Sequence, residues 1–368
     1  DYSVRREKTP FQENNMTAMK NTTASPRALG YYLPPEWSRQ QSVLLSCPLN
    51  PATWPDNRPA MDRAYAAFAA AITRFADLRL NCVAAAQEHY RSLLADAGAD
   101  LSRLRFHDLA TNDAWCRDHG PIILQHADGQ RRAVLDFNYN AWGGKFPPWD
   151  LDDAVPQAIA AMDDLPCFRS PLFCEGGALE VNGRGTLLTT ASVLLNPNRN
   201  PGLSKARAEE LLMDALGCEQ VLWLPGGLAG DDTDGHIDTI TRFVAPELVL
   251  TAYDDNPLSP NYEVLKRNDA LLRAMRLHDG TPLEVIRLPM PEPIRPENWR
   301  EEILPATYAN FLITNGAVLV PTYRQDRRDQ QALAIIAQAF PTHEIVPIDC
   351  YDIIIEGGAL HCLSQQML

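Results

Sequence analysis

Glu175-Gly176-Gly177-Ala178-Leu179 recurs letter for letter as Glu356-Gly357-Gly358-Ala359-Leu360. Each copy precedes a polar or reactive residue on a predicted strand. Paired glycines at such a place permit close approach of backbone to backbone or to a ligand. The echo predicts a pseudo-symmetric α/β fold whose repeats converge on a common axis. Outward from these words, short apolar runs alternate with amphipathic stretches. The runs 43–47, 133–137, 186–190, 220–224, 248–251 and 317–321 read as strands, and 61–80, 204–216, 261–277 and 329–340 as helices. Residues 1–29 are polar, basic and aperiodic and read as a tail. Residues 30–368 read as a single domain, because no Gly/Ser linker or charge block divides them; the Pro-rich stretch 289–305 reads as a long loop.

Composition limits what such a fold could bind. Of 368 residues, 45 % are hydrophobic and 22 % charged, a globular profile, and no apolar run reaches the roughly 18 residues of a membrane span. With 33 Lys and Arg against 47 Asp and Glu, the formal charge is −14. That balance repels nucleic acid and anionic membrane, which need a basic footprint, and suits a cationic ligand. The eight cysteines contain no Cys-x-x-Cys pair and read as reduced thiols, most of them buried. With no apolar signal core or cleavage pattern near the start, the expected compartment is the cytoplasm. A homo-oligomer is compatible with the sequence, which does not specify one.

Four segments combine glycine with ionisable groups: Trp115-Cys116-Arg117-Asp118-His119-Gly120-Pro121, the word at Glu175, Asp231 to Asp238, and His361-Cys362 after the second Gly-Gly. Each taken alone has a plain explanation. Asp118 beside Arg117 suits a turn cap or ion pair, His236-x-Asp238 occurs on any strand edge, and a lone Cys362 is usually a small buried residue. Trp142-Gly143-Gly144-Lys145 and Asn196 to Pro201 read as loops. Together they make chemical sense. A thiolate is a nucleophile, an imidazole shuttles protons, and the surplus of carboxylates (Asp118, Glu175, Asp238) suits a planar cation with several N–H donors. A guanidinium is that group, and its charge would stabilise the neighbouring thiolate.

These words resemble those of agmatine deiminases and the related bacterial-type (Porphyromonas-type) peptidyl-arginine deiminases, in the guanidino-group-modifying superfamily. The likeness runs from Pro34-Pro35-Glu36-Trp37 to the last residues. It rests on Trp-x-Arg-Asp-x-Gly-Pro at 115–121, Ala141 to Gly144, Glu175 to Gly177, Asn198 to Pro201, Thr233 to Asp238 and Gly-Gly-x-x-His-Cys at 357–362. The resemblance implies a five-bladed α/β propeller of pseudo-fivefold ββαβ units, the pentein fold, with the site at its centre. It implies Cys362 as nucleophile, His236 as general acid/base, and Glu175 orienting His236 or touching the substrate. Asp118 and Asp238 would grip the guanidinium, with Trp115, Trp142 and Gly358 also at the substrate. No metal and no organic cofactor are implied; the partner is a small cationic guanidino compound.

The sequence departs from the family pattern at Gln40, Gln41 and Cys47, which are expected to alter the rim of the site, and at Ala359 and Ser364 near the nucleophile. The chain ends six residues past Cys362, which favours free agmatine, converted to N-carbamoylputrescine, over peptidyl arginine. Three alternatives stay open: a peptidyl-arginine deiminase, a catalytically silent guanidine-binding homologue, and a metal hydrolase using His236, Asp238, His361 and Cys362.

Overall fold

Apolar runs without alternation belong to strands covered on both faces. In this computed structural model, which describes residues 24–296 and 303–368, five of the six predicted runs are central strands of five small sheets, and the sixth is the edge strand Gln220–Leu224. Ser42–Ser46, Thr186–Thr190 and most of Ala317–Thr322 are buried along their whole length.

One connection pattern recurs in all five sheets. A first strand pairs antiparallel with the central strand, a helix crosses over, and a third strand returns parallel to the central one. In the second unit the three strands are Ile122–His126, Arg132–Asn138 and Cys167–Phe173. In the third they are Glu180–Val181, Thr186–Thr190 and Gln220–Leu224. The fourth has Thr241–Ala245, Leu248–Tyr253 and Glu284–Pro289, and the fifth Leu312–Thr314, Ala317–Thr322 and Glu344–Asp349. The first unit is completed from the far end of the chain: Ser364–Met367 pairs antiparallel with Ser42–Ser46, whose parallel neighbour is Asp77–Asn81. Each unit is therefore ββαβ.

One crossover helix carries ordinary start and stop chemistry. Lys205–Leu216 begins at Ser204, whose side chain accepts a bond from the Arg207 amide, and ends at Gly217 in the left-handed region. It buries Ala208, Leu212, Ala215 and Leu216.

Several expectations are corrected. The helix expected over 61–80 stops at Thr73, and Asp77–Asn81 is a strand whose alternate residues Leu78 and Leu80 are buried. The predicted tail lies mostly outside the described residues, but Pro26 is buried and Arg27 bonds Glu219 at 2.5 Å. Part of the Pro-rich stretch, 297–302, also lies outside them, and its first residue, Pro289, ends the strand Glu284–Pro289. The two Gly-Gly words do not occupy equivalent places. Glu175 stands five residues before its strand at Glu180, and Glu356 eight before Ser364.

What is equivalent is a short turn entering the first strand of every unit: Cys116–His119, Gly176–Ala178, Ile237–Thr239, residues 307–310 and Leu360–Leu363. All five are buried. Beneath them Arg242, fully buried, binds Glu180 Oε2 at 2.8 Å, Glu36 Oε2 at 2.6 Å and the Phe311 carbonyl at 2.6 Å. Those partners come from two other units and the N-terminal segment. Arg242→Ala would strand two buried carboxylates, and denaturant unfolding should show a loss of about 3–5 kcal/mol; an unchanged midpoint would contradict this.

Candidate active site

The reactive side chains stand on these five turns, not on strands as the alternation suggested. His236 precedes the turn Ile237–Thr239, so its ring and the Asp238 carboxylate diverge. His236 faces Asp118 and Glu175, whereas Asp238 faces His361 and Cys362. The close approach rests on Gly177. A Cβ there would lie 2.5 Å from His236 Nδ1 and 2.8 Å from Asp118 Oδ1. Gly176 is pressed against the Arg117 carbonyl and Gly358 against the Trp115 ring, where added Cβ atoms would come within 2.1 and 2.3 Å.

Three carboxylates surround the space beside Cys362, each anchored differently. Asp118 accepts from the Trp142 indole N–H and from the Gly177 amide, both at 3.0 Å. Glu175 Oε1 accepts from Arg199 Nε at 2.6 Å, leaving Oε2 3.5 Å from His236 Nε2 with no hydrogen bond. Asp238 Oδ2 lies 2.7 Å from His361 Nδ1, and Oδ1 is buried without a partner. The Cys362 Sγ accepts from Asn310 Nδ2 at 3.2 Å and stands 3.9 Å from Asp238 Oδ2.

This crowding sets the protonation states. Burial alone would depress the His236 imidazole, but Asp118, then Glu175 and Asp238, raise it to about 9, so it is a cation at neutral pH. Burial raises the Asp118 carboxyl to about 6, with His236 opposing and Asp238 and Glu175 adding to the rise. Burial also raises the Cys362 thiol well above its ordinary value, assisted by Asp238 and Asp118 and opposed by Asn310. Unliganded, the site pairs a thiol with an imidazolium.

Trp142 reaches Asp118 from an unusual loop. Ala141 and Trp142 both have positive φ, 48° and 57°, each costing about 1–3 kcal/mol for a residue with a side chain. The loop is pinned because the Asn140 side chain accepts from the Gly143 amide and Asn140 Nδ2 donates to the Asn198 carbonyl. Cys362, Asp118, Trp115, Trp142 and Gly358 line a cavity of about 640 Å³, with Asp113, Asp231, Asp232 and Glu356 around it.

Five of the expected residues, Cys362, His236, Glu175, Asp118 and Asp238, thus meet at one place, and Trp115, Trp142 and Gly358 wall it. Gln40 and Cys47 do not form the rim. Gln40 is buried, donating to the Glu36 and Ile313 carbonyls, and Cys47 lies in the core; the nearby cavity wall is instead Leu49 to Thr53. His119, though inside the first motif, bonds Ser46 Oγ, and burial pushes its imidazole down to about 3. Sequence reasoning missed Asn310, which sits in an ordinary-looking Thr-Tyr-Ala-Asn stretch, left Arg199 and Glu36 unassigned inside quoted words, and considered His361 only as a metal ligand. Among the described residues, no group of three or more His, Cys, Asp or Glu side chains is arranged to hold a metal ion, and no helix is long and apolar enough to cross a membrane.

A direct check is the NMR titration of His236, expected near 9 and lowered in Asp118→Asn, which removes the largest raising charge. A value near the ordinary one of about 6.5, unmoved by the substitution, would contradict this electrostatic picture.

Comparison with known proteins matches this geometry to one group. The profile of the Porphyromonas-type peptidyl-arginine deiminase family matches residues 32–367. An agmatine deiminase of Pseudomonas fluorescens is 36% identical over 368 residues, covering 95% of this chain and 98% of its own. The structure of Enterococcus faecalis agmatine deiminase superposes with a TM-score of 0.87 at 32% identity, covering 94% of this chain and 97% of that one. A Cys-to-Ser variant of C. jejuni agmatine deiminase with substrate bound gives 0.81 at 30% identity, over 92% and 96%.

Proposed function

Since the chain belongs to the Porphyromonas-type peptidyl-arginine deiminase family, we propose that it hydrolyses agmatine to N-carbamoylputrescine and ammonia through a covalent bond to Cys362. It is a hydrolase acting on a guanidino C–N bond, as its agmatine deiminase relatives are named. The observation that carries the assignment of roles is the placement of a thiol 3.9 Å from an anchored carboxylate, within a buried set that also holds an imidazolium and two further carboxylates.

Binding starts the chemistry. The guanidinium offers N–H donors to Asp118 and to the unpartnered Oδ1 of Asp238. Its charge offsets the carboxylates that hold the Cys362 thiol up, and the thiol proton leaves to solvent. The thiolate attacks the guanidinium carbon, forming the C–S bond. The His236 imidazolium, held near Glu175, gives its proton to the departing nitrogen, and the C–N bond breaks to release ammonia. A cationic thiouronium and a neutral His236 remain. Water then adds to the same carbon while His236 takes its proton, and breakage of the C–S bond releases the ureido product and restores the thiol. Asn310, donating to Sγ, supports the thiolate in both halves.

The mouth supports a substrate with a cationic far end. Asp232 and Glu356 line it together with Asp113, and Lys145 is held by Asp234 Oδ1 at 2.7 Å and the Asp232 carbonyl at 2.6 Å. The distal ammonium of agmatine is attracted there, whereas the α-carboxylate of arginine meets like charge.

The test is to incubate the protein with agmatine, free arginine and a blocked arginyl peptide, measuring ureido product and ammonia. Turnover of agmatine above the other two is expected. Preference for the peptide overturns the substrate, and no product from any of the three overturns the activity.

A further inference from the structure

His361 lies directly before the nucleophile, yet its side chain turns away from the cavity into a row of carboxylates. Its Nδ1 is 2.7 Å from Asp238 Oδ2 and its Nε2 is 2.6 Å from Glu36 Oε2. The residue is about 1 % exposed. A neutral imidazole has one N–H to donate, so only the doubly protonated ring satisfies both contacts. Glu36 is itself fixed: Oε1 accepts from the Ile313 amide at 2.6 Å, and Oε2 also accepts from Arg242 Nη2 at 2.6 Å. Arg117 approaches from a third side, 3.9 Å from Glu36, and its Nε donates to the His361 carbonyl at 3.3 Å. Glu180 lies behind Arg242. The charged groups facing His361 are thus Asp238 and Glu36 in contact, with Arg117, Arg242 and Glu180 around them and Cys362 adjacent in the chain.

We propose that His361 is a positioning residue for the deimination, a fixed imidazolium that clamps Asp238 Oδ2, aims Oδ1 at the substrate and keeps the Asp238 charge from bearing fully on Cys362. The proposal rests on the reading of Asp238 as a guanidinium ligand and Cys362 as nucleophile. Two geometric facts support it. Asp238 is bonded through one oxygen only, so its orientation is set on the His361 side while its other oxygen is buried without a partner. The His361 and Cys362 amides also share Asn310 Oδ1, at 3.1 and 3.3 Å, so the clamp and the nucleophile are held in one frame. His361 touches neither substrate nor the reacting atoms; it acts through Asp238 and through its charge.

The test is His361→Gln, which retains bulk and an amide donor but removes the charge. Two quantities are measured: the pH dependence of Cys362 alkylation by iodoacetamide without substrate, and kcat and KM for agmatine. The alkylation limb should move up by about one pH unit and KM should rise about tenfold or more, the loss expected for a charge-assisted hydrogen bond. Glu36→Gln, which leaves His361 in place without its Nε2 carboxylate, should move both in the same direction by less, and serves if His361→Gln does not fold. A merely structural role would lower the unfolding midpoint and leave limb and KM in place; that result in both variants overturns the proposal. The alkylation arm needs no substrate. If wild-type protein does not turn over agmatine while the limb still shifts, the substrate reading fails and the electrostatic role of His361 stands.

Discussion

Burying Glu36, Asp118, Glu175, Glu180 and Asp238 in one place is the constraint on which the molecule turns, because unpaired carboxylates in a dry interior are untenable. Three fully enclosed arginines answer part of that charge: Arg242 takes Glu36 and Glu180, Arg199 takes Glu175, and Arg117 approaches Glu36. Three cations do not balance five anions. The remainder falls on His236, raised to about 9, on His361 between two carboxylates, and on Asp118, whose carboxyl is pushed up to about 6. With both imidazoles charged, five cations face five carboxylates, so the charge of a planar cation entering the cavity is matched by the thiolate that Cys362 becomes. Affinity for a guanidinium and the thiolate it stabilises therefore share one electrostatic origin.

The repeat makes such crowding achievable. One turn from each of the five ββαβ units arrives at the same place, and each contributes a different group: Asp118, Gly177, the His236–Asp238 pair, Asn310 and Cys362. Gly177 donates no chemistry of its own beyond an amide to Asp118, but its missing side chain is the space into which His236 and Asp118 fit. Closure of the first unit by Ser364–Met367 ties Cys362, on the turn just before it, to a strand from near the start of the chain.

The central strands were legible because they are covered on both faces and read as uninterrupted apolar runs. Apart from Gln220–Leu224, the third strands were not: Glu284–Pro289 and Glu344–Asp349 lie at sheet edges, mix charged residues with apolar ones, and look like loops. The site residues were legible as types and words, since a thiol, an imidazole and carboxylates beside glycines point to one chemistry. Their geometry was not, because a turn and a strand edge give His236 and Asp238 opposite orientations from the same letters. Asn310 left no mark, for only its place in the fifth turn distinguishes it. The Gly-Gly echo pointed to a repeat that is present, although its two copies stand at different distances from their strands.

The account depends most on Cys362 bonding covalently to the guanidinium carbon. Rapid quenching of the protein during turnover of agmatine, followed by mass mapping of the peptide that carries Cys362, tests this directly. The account predicts an adduct on Cys362 with the mass of agmatine less ammonia, absent from Cys362→Ser. Undiminished ammonia release by Cys362→Ser, or an unmodified Cys362 throughout with the adduct on another residue, would contradict it.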